Sequence, residues 1–302
     1  MSIGENSGSQ ADTERSRFTL TGRSIALDRR INAIRGDLAD IALAGRYFVP
    51  HYSCPQGFSV TAPRTAIRIK GDAASTAVSE LLHGETFQAI DIAGGWAWGY
   101  SAHDNYVGYV RADQLGVPIM PTHSVTTRAA LVFADADIKS PEQLRLPMGS
   151  RLAGEVEGAF LKCAEGFVHL RHVSPVETIQ NDPVAIAQSL AGAPYLWGGR
   201  SSDGLDCSGL VQLCLSLCGI AVPRDTDQQM AALDNEIAAD APLQRGDIIF
   251  FPGHVGLMAD ADNLVHANAF WMQVVTEPLA DVVARLTADH VQPVLARRRI
   301  RQ

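Results

Sequence analysis

Cysteine is scarce in this chain, and so are long apolar runs and positive charge. Five cysteines occur in 302 residues: Cys54, Cys163, Cys207, Cys214 and Cys218. So sparse and odd a set is no disulfide framework, and without a C-x-x-C pair it is no zinc cluster. No stretch reaches the ~20 apolar residues of a membrane-spanning helix, so no membrane contact is expected. The opening MSIGENSGSQADTERSRF is polar and lacks the apolar core of a secretory signal, which makes a reduced, cytoplasmic setting the expectation. Lys and Arg number 25 against 33 Asp and Glu, a formal charge of -8, and no dense basic run appears. Nucleic acid is therefore not an expected ligand. The arginines at the end, Arg297, Arg298, Arg299 and Arg301, read as a solvated strand edge.

What is present is the composition of a folded protein, 46% hydrophobic and 19% charged, at a length that suits two or three domains. Residues 1–65 read as an N-terminal tail and linker, flexible to about residue 18, with a short helix over residues 37–44. From residue 66 the texture becomes short alternating apolar segments broken by Gly, Asp and Pro, as in small antiparallel barrels. Two are expected, 66–120 and 121–177, because AWGYSAHDNYVGYVRADQL and FLKCAEGFVHLRHVSPV close them with similar wording. Trp96, Trp98 and Tyr100 are expected in the core of the first. Residues 178–302 change again: Asp182 and Pro183 start a short helix, and DCSGLVQLCLSLCG has the i, i+3, i+4, i+7 pattern of a second. The strands DIIFF, HVGLMAD, NLVHAN, QVVTEPL and PVLARRR follow, so the fold class is α+β.

Cys207 stands apart from the other cysteines. It follows Asp206, a candidate N-cap, and so faces free backbone N–H groups at the positive end of a helix. That setting favours thiolate over thiol. Cys214 and Cys218 fall inside the helix and read as apolar packing, as do Cys54 and Cys163. A nucleophile needs a base and a group to orient it. His254 and His266 lie on successive strands joined by the short ADADN turn, which brings them side by side. His254 then takes the thiol proton and His266 orients it.

APYLWGG, DCSGL, PRDTDQQ, RGDIIFF, GHVGL and VHA occur in that order, and together they resemble the NlpC/p60 family of papain-like cysteine peptidases. The resemblance covers roughly residues 183–290. It implies a papain-like catalytic domain with Cys207 as nucleophile, His254 as base and His266 as third member, and no metal or organic cofactor. It implies a murein-derived peptide as substrate, cut between γ-D-glutamate and a diamino acid; with no export signal expected, recycling of imported fragments fits better than cutting intact wall. It also places Tyr195 near the oxyanion position, with Asp206 and Ser208 flanking the nucleophile; on chemistry alone Tyr195 is equally a core aromatic.

Members with SH3-like modules ahead of the peptidase resemble dipeptidyl-peptidases that require a free N-terminal L-Ala. In them an acidic residue after the Pro-Arg motif binds the ammonium; here that is Asp225, followed by Thr226. Asp225 reads equally well as the N-cap of a helix over TDQQMAAL. The first module of such enzymes closes the far end of the cleft with an acid and a tyrosine. Glu85 and Tyr106 are the candidates, with Glu80 and Tyr109 as alternatives, and Trp271 is a candidate wall. Two other functions stay open: an amidase or acyltransferase on the same core, and a catalytically silent peptide-binding scaffold. No oligomeric state is indicated.

Overall fold

A computed structural model describes residues 26–300; the opening tail, Arg301 and Gln302 lie outside the described residues. Among the described residues no helix is long and apolar enough to cross a membrane.

Residues 37–44, expected as a helix, form a strand, Leu38–Asp40, and one 3-10 turn, Ile41–Leu43. The strand pairs in parallel with His51–Ser53, and Asp40 caps the turn by accepting from the Ala42 N–H at 2.9 Å. Asp is a weak helix former and a strong cap, so the chain turns there instead of continuing.

The first barrel begins earlier than residue 66. Gln56–Val60 pairs with Thr86–Ala93 on one side and with Leu115–Gly116 on the other, completing a seven-stranded sheet. Val60, Ile67, Leu81, Phe87, Ala97 and Val110 fill its core. Strand residues alternate between faces, so Ala97 enters that core and Trp98 faces away. Trp98 is buried nonetheless, with Ala33, Ile90 and the partly buried Leu38 and Tyr100 around it. The Arg35 guanidinium lies over its ring, 4.8 Å from the centroid. Two of the expected core aromatics, Trp98 and Tyr100, thus form the outer seam along which the N-terminal segment docks. A second barrel over His123–Val125 to Val173–Pro175 has its own core of Val125, Val132, Leu146, Leu152, Leu161 and Val168.

The last unit is a five-stranded antiparallel sheet in the order Gln273–Pro278, Asn263–Asn268, His254–Met258, Ile248–Phe251, Ala296–Arg298. Alternation splits its residues between two layers. Ile248, Phe250, Val255 and Leu257 pack on helices α1 (Pro183–Ser189) and α2 (Cys207–Leu217). Ile249, Phe251, Met258 and Leu264 pack on Val282 of a further helix, Leu279–Thr287, which lay unread in LADVVARLT. A short helix α3 (Thr226–Ala232) lies between them in sequence. Of the C-terminal arginines, Arg297 and Arg298 lie on the edge strand Ala296–Arg298, Arg299 beyond it is paired with Asp247 at 2.8 Å, and Arg301 lies outside the described residues.

The first barrel is fastened to the start of α2 by buried charge. Arg200, 2% exposed, donates from Nη1 to Glu85 Oε2 at 3.0 Å and to the Glu80 carbonyl at 2.8 Å, while its backbone N–H donates to Glu80 Oε2 at 3.1 Å. Glu85 also accepts from the Leu82 N–H at 2.9 Å.

Candidate active site

The start of α2 is a built corner. Asp206 is its N-cap and accepts from the Gly209 N–H at 2.7 Å and the Gly198 N–H at 2.8 Å. Arg224, 1% exposed, clamps both carboxylate oxygens, at 2.9 and 2.6 Å, and also reaches Ser208 Oγ at 2.8 Å. The glycine of DCSGL is required by the close approach of the preceding loop: a Cβ on Gly209 would meet the Gly199 carbonyl oxygen at 2.2 Å. With Gly209 occupied by its cap, the amides of Cys207 and Ser208 begin the helix without intrahelical acceptors.

Removing Arg224 leaves Asp206 a buried, uncompensated carboxylate. Arg224→Ala is therefore expected to lower stability by about 3–5 kcal/mol. Urea unfolding measures this, and a loss below ~1 kcal/mol, the worth of an exposed pair, contradicts the clamp.

Cys207 opens a cavity of about 320 Å³ whose walls include Arg30, Tyr106, Tyr195, Trp197, Asp206, Ser208, Asp225, Thr226, Asp227 and Phe251. Its Sγ lies 3.9 Å from Thr226 Oγ1, and the backbone N–H of Val255, the residue after His254, acts on the sulfur. Tyr195 is half-buried beside it; burial, then the charges of Cys207 and Asp206, raise its phenol pKa. It therefore keeps its proton and can donate.

The candidate base, His254, belongs to a chain of three side chains. His254 Nε2 and His266 Nδ1 share a hydrogen bond of 2.7 Å, and His266 Nε2 lies 2.8 Å from Glu277 Oε1. Gly256 makes room for this: a Cβ there would sit 3.0 Å from that of His266. Burial pushes the Glu277 carboxyl up, but hydrogen bonds from Arg285, Trp271 and His266 outweigh it and the pKa falls below its ordinary value. An ionised Glu277 only accepts, so His266 carries its proton on Nε2 and accepts at Nδ1. His254 then donates from Nε2, which leaves its Nδ1 unprotonated and able to accept a proton. Glu277 thereby sets both tautomers.

The resting charge state differs from the one the helix start leads one to expect. Burial first, and the Asp206 carboxylate next, raise the Cys207 pKa above its ordinary value. Burial and the neighbouring His266 bring that of His254 down to about 3. At pH 7 the pair is a neutral thiol and a neutral imidazole. Cys207 alkylation by iodoacetamide, followed by peptide mapping to separate it from exposed Cys54, is thus expected to climb with pH and still be rising above pH 8.5. A fast, flat rate from pH 5 upward would mean a preformed ion pair.

The remaining sequence candidates divide. Asp225 sits at the N-cap position of α3 but makes no capping bond. Its carboxylate accepts instead from Tyr106 Oη at 3.1 Å and from Arg30 Nη1 at 2.8 Å. Tyr106 is therefore at the cavity, brought there from the first barrel. Glu85 is not: it is committed to Arg200, and Glu80 to Arg200 and Arg64. Tyr109 packs on the outer seam near Trp98. Trp271 lies away from the cavity wall, where Trp197 stands, and donates from Nε1 to Glu277 Oε2 at 3.2 Å. Sequence reasoning missed Glu277, Arg224 and Arg30.

Comparison with known proteins identifies relatives of both the catalytic unit and the first barrel. Residues 192–290 match the model of the NlpC/P60 family, and residues 67–115 that of the bacterial dipeptidyl-peptidase SH3 domain. Dipeptidyl-peptidase 6 of Lysinibacillus sphaericus is 28% identical over 63% of this chain and 80% of its own length. The γ-D-glutamyl-L-lysine dipeptidyl-peptidase of Bacillus cereus is 33% identical, over 29% of this chain and 28% of its own length. A solved NlpC/P60 family protein from Bacillus cereus shares the fold with a TM-score of 0.70 at 18% identity, covering 81% of this chain and 99% of that one. The chain thus carries, behind a bacterial dipeptidyl-peptidase SH3 domain, a domain of the NlpC/P60 family of cysteine peptidases.

Proposed function

We propose that the protein hydrolyses the γ-D-glutamyl–diamino acid bond of murein peptides that begin with a free L-Ala. The observation that carries this reading is one small cavity with a thiol in its wall and an acidic, closed end. Cys207 supplies the thiol; Asp225, with Tyr106 donating to it, supplies the acidic end. A volume of about 320 Å³ is at the lower limit for small-molecule sites, which suits a short peptide end rather than a glycan strand. A carboxylate shielded there binds an ammonium by charge-assisted hydrogen bonds. Relatives named γ-D-glutamyl-L-lysine dipeptidyl-peptidase, in Bacillus cereus and Bacillus subtilis, support the same bond.

As substrate seats, Cys207 Sγ attacks the γ-glutamyl carbonyl while its proton passes to His254 Nδ1. The Cys207 and Ser208 amides, with the Tyr195 hydroxyl, hold the oxyanion. His254 protonates the leaving amine, and the acyl group stays on sulfur. Water, deprotonated by His254, then releases L-Ala-γ-D-Glu and restores the thiol. The reading extends to recycling of wall fragments in the cytoplasm, since a chain of charge -8 is repelled by an anionic wall.

Incubation with L-Ala-γ-D-Glu-diamino acid peptide, its N-acetyl form and whole sacculi tests it. The free peptide is expected to be cut at least ~100-fold faster than the acetylated one, the scale of losing a charge-assisted contact. Sacculi are expected to stay intact. Equal cleavage of free and blocked peptide, or release from sacculi, favours a wall hydrolase. Cleavage of neither peptide sinks the assignment in favour of an acyltransferase or a scaffold.

A further inference from the structure

The cavity wall carries two charged groups that this reaction does not use, Arg30 and its ion-pair partner Asp227. Arg30 comes from the segment ahead of the first barrel. Its carbonyl accepts from the Val107 N–H at 2.7 Å, and its near neighbour Ala33 packs against Trp98, so the barrel fixes its position. From there its side chain crosses to the catalytic domain. Nη1 donates to Asp225 Oδ2 and Asp227 Oδ1, and Nη2 to Asp227 Oδ2 and Asp28 Oδ2, each at 2.8 Å. Gln228 ties Asp28 back to α3 at 2.9 Å.

Charge decides what this arrangement can accept. One guanidinium stands among three carboxylates, Asp28, Asp225 and Asp227, which leaves a local surplus of negative charge. An ammonium relieves that surplus; a neutral amide nitrogen does not. Arg30 therefore does not cancel the attraction for a cation. It holds Asp225 together with Tyr106, both donating to Oδ2, and its guanidinium lines the same cavity. An acyl group or a further residue on the substrate nitrogen would have to take the space the guanidinium fills and break contacts that no neutral group replaces.

We infer that Arg30 is a specificity-determining residue, which closes the amine end of the cleft and restricts the substrate to one unblocked N-terminal residue. The closure expected from an acidic residue of the first barrel is made instead by an arginine of the N-terminal segment. This rests on the reading that the substrate amine meets Asp225.

Full-length Arg30→Ala and Arg30→Lys are compared with wild type on free and N-acetylated L-Ala-γ-D-Glu-L-Lys. Arg30→Ala is expected to cut the free-over-acetylated ratio of kcat/KM by about tenfold, a moderate effect because the guanidinium is partly solvated. The change falls in KM, with kcat on free peptide nearly constant, and Arg30→Lys restores part of the preference. An unchanged ratio overturns the inference, and so does a lower KM for the free peptide in Arg30→Ala, which would make Arg30 a competitor for the amine site. A second readout needs no turnover: calorimetric binding of L-Ala-γ-D-Glu and its N-acetyl form to Cys207→Ala, with and without Arg30→Ala. Loss of wild-type turnover on both peptides sinks the reaction; the binding preference still decides Arg30, and equal or no binding of the two ligands before Arg30 is changed overturns it.

Discussion

Cys207→Ala is expected to abolish peptide cleavage, by at least ~10⁴-fold in kcat, while the chain stays folded. Nothing else in the cavity replaces the thiol: no other cysteine lines it, and the Thr226 hydroxyl, 3.9 Å away, is a far weaker nucleophile at neutral pH. The helix start does not depend on the sulfur, because Asp206, Gly198, Gly209 and Arg224 hold it through backbone and carboxylate contacts. Loss of one buried sulfur should shift stability by about 1 kcal/mol. Steady-state kinetics beside thermal unfolding separates the two effects. Residual activity above a thousandth of wild type removes Cys207 from the chemistry.

The second large effect falls on the base. His254→Ala is expected to lose ~10²–10⁴-fold in kcat, the range of general acid–base catalysis. His266→Ala should lose less, because orientation goes and the proton acceptor stays. Glu277→Gln should lose about 10–100-fold, since a Gln amide can donate as well as accept and no longer dictates the tautomers of His266 and His254. That is milder than the ~10⁴-fold seen where the mismatched group touches the base directly. The graded order His254, His266, Glu277 in kcat, with KM little moved, is the signature. Equal losses at the two histidines contradict the division of labour.

The local geometry of the candidate site, the capped helix start and the histidine pair, was largely legible because it depends on nearby residues. Asp206-Cys207 before an apolar helix pattern, and two histidines on strands joined by a five-residue turn, need only neighbouring residues to be read. Residues whose partners arrive from distant chain positions were not. Arg30 meets Asp225 across 195 positions, and no motif around either reports the meeting. Glu277 sits mid-strand in QVVTEPL, like any solvent-facing acid, until pairing sets it opposite Leu264, on the face of His266. Glu85 was misplaced for a different reason. The resemblance called for an acid from the first barrel and Glu85 was the candidate, whereas its burial is offset by an ion pair with Arg200. The segment holding Gln56–Val60 read as loop and strand but fell on the linker side of the boundary, because its pairing with Thr86–Ala93 is not visible locally. Trp98 was sent inward on hydrophobicity alone, although the i, i+2 spacing with Trp96 and Tyr100 already put all three on the face opposite Ala97.

The central claim is a thioester on Cys207 carrying the L-Ala-γ-D-Glu acyl group, and hydroxylamine tests it. Free L-Ala-γ-D-Glu-diamino acid peptide is digested with and without the amine, and the products are weighed by mass spectrometry. Hydroxylamine attacks a thioester and leaves a hydroxamate, so the account predicts free diamino acid in both samples and the dipeptide γ-hydroxamate only where the amine is present. Cleavage that yields the carboxylate alone at every hydroxylamine concentration, or cleavage at another bond, contradicts it.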